Sequence, residues 1–168
     1  MSWNIGSIIT TSVAPVSGGT SAIQTLTFGG TITGGIFKLQ RQGHSTPAIH
    51  WSSVNATLVA NIQTALDRLD TIGAGNTLVA VGTMTAGIGT ITVTFQGKFI
   101  NAQMDDMVVV NQLQGTSPTL SNATTTAGVN ADGRGYSTPG SLCVRQDTGA
   151  LYVNMGTDIL NPNWVAVP

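Results

Sequence analysis

A single stretch of this chain repeats its apolar residues at helical spacing, and patterns of a different period flank it. Leu58, Ile62, Ala65, Leu66 and Leu69 fall at i, i+4, i+7, i+8 and i+11, which is one stripe on a helix of 3.6 residues per turn. The stripe predicts a helix over Val54–Leu69, with Ser53 or Asn55 as N-cap and Gly73 supplying the left-handed position that ends it. Elsewhere the period is two. Leu26 and Phe28 alternate with Thr25 and Thr27, Phe37 and Leu39 with Lys38 and Gln40, and Ile91, Val93 and Phe95 with Thr92 and Thr94. Such alternation puts one face of a strand on a core and the other toward solvent or a partner. One amphipathic helix cannot bury its stripe alone, so it must lie across a sheet. The expected fold is therefore mainly β (α+β), a β-sandwich or barrel-like sheet with one amphipathic helix packed on it.

Strands are expected at Ile23–Phe28, Gly35–Arg41, Ala48–Trp51, Thr77–Val81, Thr90–Phe95, Met107–Asn111 and Thr119–Ala127. Gly29-Gly30, Gly34-Gly35 and Gly87–Gly89 read as turns around them. Residues 1–20 read as an N-terminal arm: Trp3, Ile5, Ile8, Ile9 and Val13 are apolar, but Gly6, Pro15 and Gly18-Gly19 interrupt any long element. Exposed alone, these apolar side chains would be sticky, so Trp3, Ile5, Ile8 and Ile9 are the candidate interface residues. The arm has no basic start and is a poor secretory signal. Residues 21–129 form the expected core module. Residues 130–168 form a loop and a C-terminal hairpin, with Leu142 and Val144 on one arm, Leu151 and Val153 on the other, and Asp147-Thr148-Gly149 at the turn. A last short strand surrounds Trp164.

At 168 residues the chain can bury a core without disulfides or metals. Only 8% of it is charged, its acids are all Asp, and its net charge is −1. Ordinary soluble domains carry about 25% charged residues. A nucleic-acid footprint or a polybasic membrane patch needs clustered Lys and Arg, and no apolar run approaches the ~20 residues of a membrane-spanning helix. The surface is either hydrated Thr, Ser, Asn and Gln, or covered in an assembly. The second reading is favoured, because a flat neutral threonine-rich sheet buries area without stripping water from charges.

Catalytic constellations are not apparent. His44 sits in a Gly-His-Ser-Thr turn and His50 beside Trp51, with no Cys or Glu at metal-ligand spacing. Asp105 and Asp106 are adjacent, which on a strand points them to opposite faces. Asn130–Arg134 lacks the spacing of a calcium loop, and the glycine clusters fit no phosphate-binding pattern. Cys143 is the only cysteine and reads as a small hydrophobe on a strand. Trp51 and Trp164 could stack on a sugar, but core or interface packing is the commoner use of tryptophan. No metal, cofactor or catalytic residue is expected.

Two patterns are familiar together. The first is Thr33–Leu39 and Pro47–Trp51, then the helix ending Gln63–Leu69, Ile72-Gly73-Ala74-Gly75-Asn76, and Ile91–Gly97. It resembles a strand–helix–strand module recurrent in tailed-bacteriophage virion proteins. The second, Pro139–Leu142 with Asp147–Asn154 and Trp164, is similar to a Gly-x-Leu-Tyr-Val hairpin common at the ends of phage head and tail surface proteins. The resemblance implies a virion structural protein, foremost a capsid decoration (cement) protein on the outer capsid surface, assembled in the host cytoplasm. Its implied partners are the major capsid protein and copies of itself, as a homotrimer at capsid three-fold positions. The alternatives are a neck, tail or baseplate component, or a carbohydrate-binding receptor module using Trp51, Trp164 or Tyr136.

Overall fold

A computed structural model describes residues 8–11 and 13–168. They form ten strands, one α-helix and a short 3-10 turn, which is the mainly β fold with one helix expected from the two periods. The described residues divide into two compact units, one of residues 22–99 and 104–127, the other of residues 8–11, 13–21, 100–103 and 128–168.

The larger unit is built on two strands of 19 residues each, β2 (Ile23–Arg41) and β7 (Val108–Thr126). They pair antiparallel from Ile23↔Thr126 to Gln40↔Val108. On the other side of β2 its first half pairs with β6 (Ile88–Phe95), which pairs in turn with β5 (Thr77–Thr85). Its second half pairs with β3 (His44–Ser45) and β4 (Ile49–His50). Each long strand therefore merges two shorter ones expected from the sequence. Gly29-Gly30, Gly34-Gly35 and the Gly115–Pro118 stretch are not chain reversals but irregularities within continuous pairing. A bulge and a turn draw on the same residues, because both need unusual φ values.

Those irregularities bend the ribbon. Phe28 and Phe37 are nine positions apart on β2, which in a straight strand is about 30 Å. Their rings meet edge to face with centroids 5.4 Å apart. The two halves of β2 therefore face each other across one core, walled by Leu26, Phe28, Phe37, Leu39, Ile91, Val93 and Phe95, all essentially inaccessible to water. Each such side chain stabilises the fold by about 1.5–3 kcal/mol relative to exposure.

Helix α1 (Asn55–Asp67) closes the core against β4 and β5, burying Leu58, Ile62, Ala65 and Leu66. It is slightly shorter than its apolar stripe, and Leu69 and Ile72 remain buried in the turns that follow. Val54 is the N-cap, with no side-chain cap bond. Neither expected cap residue serves: Asn55 instead holds the β5–β6 turn, its Nδ2 donating to Met84 O (3.1 Å) and its Oδ1 accepting from Gly87 N (2.9 Å). Gly73 is left-handed at φ 78° and closes the turn after the helix.

A buried amide lies in this core. Gln24 is fully buried in phase with Leu26 and Phe28. Its Nε2 donates to Asp105 O (2.8 Å), and its Oε1 accepts from Met107 N (3.1 Å) and Asn122 Nδ2 (2.8 Å). It thereby ties β2 to β7 and to the segment that enters β7.

The smaller unit is a four-stranded sheet in the order β1 (Ile8–Thr11), β8 (Leu142–Arg145), β9 (Leu151–Asn154), β10 (Trp164–Ala166). β8 and β9 form the hairpin, and β1 runs parallel to β8 with Ile8 opposite Leu142. Asn154 is fully buried. Its Nδ2 donates to Ser137 O and Thr138 O, and its Oδ1 accepts from Gly156 N and Asn163 N.

Two substitutions test this account. Gly115 has φ 143°, and a Cβ there would run into the Thr31 carbonyl oxygen across the ribbon. Gly115→Ala should cost about 1–3 kcal/mol in denaturant unfolding at unchanged m-value; a neutral effect would show that the bend tolerates a side chain. Gln24→Leu strands the Met107 N–H and the Asp105 carbonyl and should cost about 1–3 kcal/mol, despite its greater hydrophobicity.

Candidate functional site

The candidate contact surface is the outer face of the larger unit's sheet. Side chains that alternate with the buried set point away from the core: Ile23, Thr25 and Thr27 on β2, Thr90, Thr92 and Thr94 on β6, Leu78 and Ala80 on β5, and Ser121, Ala123 and Thr125 on β7. Ile23 stands opposite Thr94, Thr25 opposite both Thr92 and Ala123, and Thr27 opposite both Thr90 and Ser121. The result is an ordered threonine array, stiffened by a Thr25–Thr125 hydroxyl contact of 3.0 Å. β-Branched side chains hold one preferred χ1 on a strand, so the array loses little rotamer freedom on contact.

This face carries no charge. Residues 1–37, 71–97 and 107–131 contain no Asp, Glu, Lys or Arg. The unit's charges lie instead in residues 38–70 and 98–106. There Phe99 packs edge to face on Phe95 at 6.1 Å, with the Arg41 guanidinium 4.8 Å and the Lys98 ammonium 4.9 Å from its centroid. Arg41 also donates to Thr71 O (2.7 Å). Burial pushes its pKa below the ordinary arginine value, against the opposing pull of Asp105.

The motif residues serve the fold. Asn76 Nδ2 donates to the carbonyls of Ile72, Gly73 and Ala74, and its Oδ1 accepts from Lys98 N (2.9 Å). The Gly-Ala-Gly-Asn stretch is thus a loop wound around its own asparagine. Gln63 reaches from α1 to the outer side of β5, accepting from Val79 N (2.9 Å) and donating to Thr77 O (3.2 Å). Gln63 and Asn76 belong to the strand–helix–strand pattern of the sequence, whereas Gln24 belongs to none. For Gln24 the signal was present, since an amide stood in register with two core residues.

Of the candidate interface residues, Trp3 and Ile5 lie outside the described residues. Ile8 is 66% exposed and Ile9 is half-buried on β1. His44 and His50 are both exposed, on β3 and β4. No group of three or more His, Cys, Asp or Glu able to hold a metal occurs among the described residues. Asp106 accepts a bond from the Thr124 hydroxyl. Trp51 donates to Gly87 O (3.1 Å), and the nearly buried Trp164 donates to Asp132 O (2.9 Å). Both indoles are thus tied into their own unit, whereas Tyr136 is 57% exposed. A cleft of about 170 Å³ between β4 and α1, lined by His50, Asn61, Thr64 and Arg68, falls below the ~300–1,000 Å³ of ordinary ligand pockets. No described helix is long and apolar enough to cross a membrane.

No protein-family model matches this chain, and no curated protein sequence is significantly similar to it.

Cys143 is buried beside the Thr11 hydroxyl, and burial raises its thiol pKa above the ordinary value. The thiolate is the reactive form, so the native protein should be alkylated by iodoacetamide more than about tenfold slower than the unfolded chain. Because the folded pKa is the higher one, this residue's contribution is complete below the unfolded thiol pKa. It is lost as pH rises from there through the folded value. Equal labelling rates in mass spectrometry would show the site to be open.

Proposed function

We propose that this protein is a structural component of a tailed-bacteriophage virion, a decoration or cement protein on the outer surface of the capsid. The observation that carries the reading is the uncharged, ordered threonine face. A cement protein must cover area on a shell that it meets only after assembly, and a neutral face does so without stripping water from charges. Binding the assembled shell alone stabilises it by mass action. The module and hairpin that resemble phage virion proteins point the same way. Its partners in this reading are the major capsid protein and further copies of itself in a closed symmetric oligomer, a homotrimer where capsid three-fold positions are occupied. Its role is non-catalytic: the polar side chains of the motifs are engaged in holding loops.

A neck, tail or baseplate position is the second reading, because the same hairpin resemblance extends to tail surface proteins. A carbohydrate-binding module would have to rely on Tyr136, the exposed one of the three aromatic candidates.

Quantitative mass spectrometry of purified virions separates these positions. Decoration predicts hundreds of copies per particle, whereas about a dozen or fewer moves the protein to the neck or tail. Thr92→Asp, on the middle of the face, should leave the protein folded yet lower head occupancy at least tenfold, as burying an unpaired carboxylate requires. Full occupancy by that variant would remove the face from the contact.

A further inference from the structure

The larger unit's sheet has two long edges, and the fold treats them differently. At β5, helix α1 supplies a substitute partner: Gln63 accepts from Val79 N and donates to Thr77 O. At β7 there is partial cover. This strand pairs with β2 and with no other described strand. Asn111 accepts from Leu113 N (3.0 Å) and donates to Pro118 O (3.3 Å), which covers the irregular middle of the strand. From Thr119 to Thr126 no described side chain reaches the outer backbone groups. Of the usual protections of an edge, a lysine, an inward charge and a proline are missing there, and the one bulge, at Thr125 between Thr124 opposite Gln24 and Thr126 opposite Ile23, lies at the far end. The sequence Thr-Leu-Ser-Asn-Ala-Thr-Thr-Thr is neutral and rich in β-branched residues, and its nearest charges in the chain are Asp106 and Asp132.

We infer that Thr119–Thr125 pairs, antiparallel and across a two-fold axis, with the same stretch of a second copy of this chain. A two-fold axis sets a strand against itself, so any charge on it would meet its own like. This stretch carries none. A register centred on Asn122 places Ser121 opposite Ala123 and Thr119 opposite Thr125, four exposed residues on one face. The pairing joins β5-β6-β2-β7 to its symmetry mate as one eight-stranded sheet, doubles the threonine face and covers both bare edges. A strand pair of this length lies below the roughly 800 Å² per partner of a standard interface, so the contact dissociates in the micromolar range. It is independent of the virion reading and adds a two-fold contact to any three-fold one.

The test is the mass of the purified protein by sedimentation and native mass spectrometry at about 100 µM, well above that range. The wild type should be an assembly with an even number of protomers. Ser121→Lys with Ala123→Lys should halve the mass, because the introduced lysines face one another. Ser121→Lys with Ala123→Asp should keep it, because the introduced charges are then complementary. Ala80→Lys, on the protected β5 edge, should leave it unchanged. Far-UV circular dichroism checks that each variant is folded. Hydrogen exchange at Thr119–Thr125 in the wild type, slowing as concentration rises, gives the same decision without any substitution. A monomer, an odd-numbered assembly including a bare trimer, an unchanged mass for the double-lysine variant, or concentration-independent exchange would each overturn the pairing. So would capture of an extended peptide from another protein in place of the second copy.

Discussion

The contact on which the larger unit depends is Phe28 against Phe37. These rings belong to one strand and meet only because the strand folds back on itself. Without the bend, β2 and β7 would be a flat ribbon with two solvated faces, and the stripe of α1 would have nothing to cover. With it, one strand supplies both walls of the core, while β6 and β5 extend one wall and β3 and β4 the other. Left-handed or strained backbone at Gly30, Gly35, Gly115 and Ser117 is the local cost, and the enclosed aromatic and aliphatic core offsets it.

The architecture was legible in the sequence where a period repeats long enough to be read. Leu58, Ile62, Ala65 and Leu66 announced the helix, and Ile91, Val93 and Phe95 announced β6. The continuity of β2 and β7 was not legible, because glycine pairs signal a bulge and a turn with the same residues. The pairing of β1 with β8 joins residues more than 130 positions apart, and no local pattern encodes it. The threonine-rich surface was visible as alternation. Its arrangement as one array, with Thr25 between Thr92 and Ala123, depends on strand order and register. The four arm residues were marked by exposure of apolar type, and the described pair shows how unequal such residues are: Ile8 faces out while Ile9 is half covered.

A chain with so few charges must still satisfy its buried backbone, and it does so with amides. Gln24, Asn55, Gln63, Asn76 and Asn154 each hold two or more backbone groups, at a strand crossing, a turn, an edge, a loop and a hairpin end. An amide donates and accepts at once, so one side chain can close a site that would otherwise need a charge and its counterion. This accounts for the Asn and Gln of the motifs as loop and edge anchors. It also leaves the outer face free to be uniform.

The central strand also sets a schedule for synthesis. β2 is complete by Arg41, but its partner along its whole length, β7, begins at Val108 and ends at Thr126. At about 5–20 residues per second, some 85 further residues take roughly 4–17 s to emerge. During that time β2 exposes one unpaired side, and the core behind it lacks Leu113 and Met107. The nascent chain therefore passes through a stage in which its long central strand is half paired, and high contact order slows the closing step further. A chaperone that recognises extended apolar segments would meet its substrate in that interval, before the last third of the chain covers it.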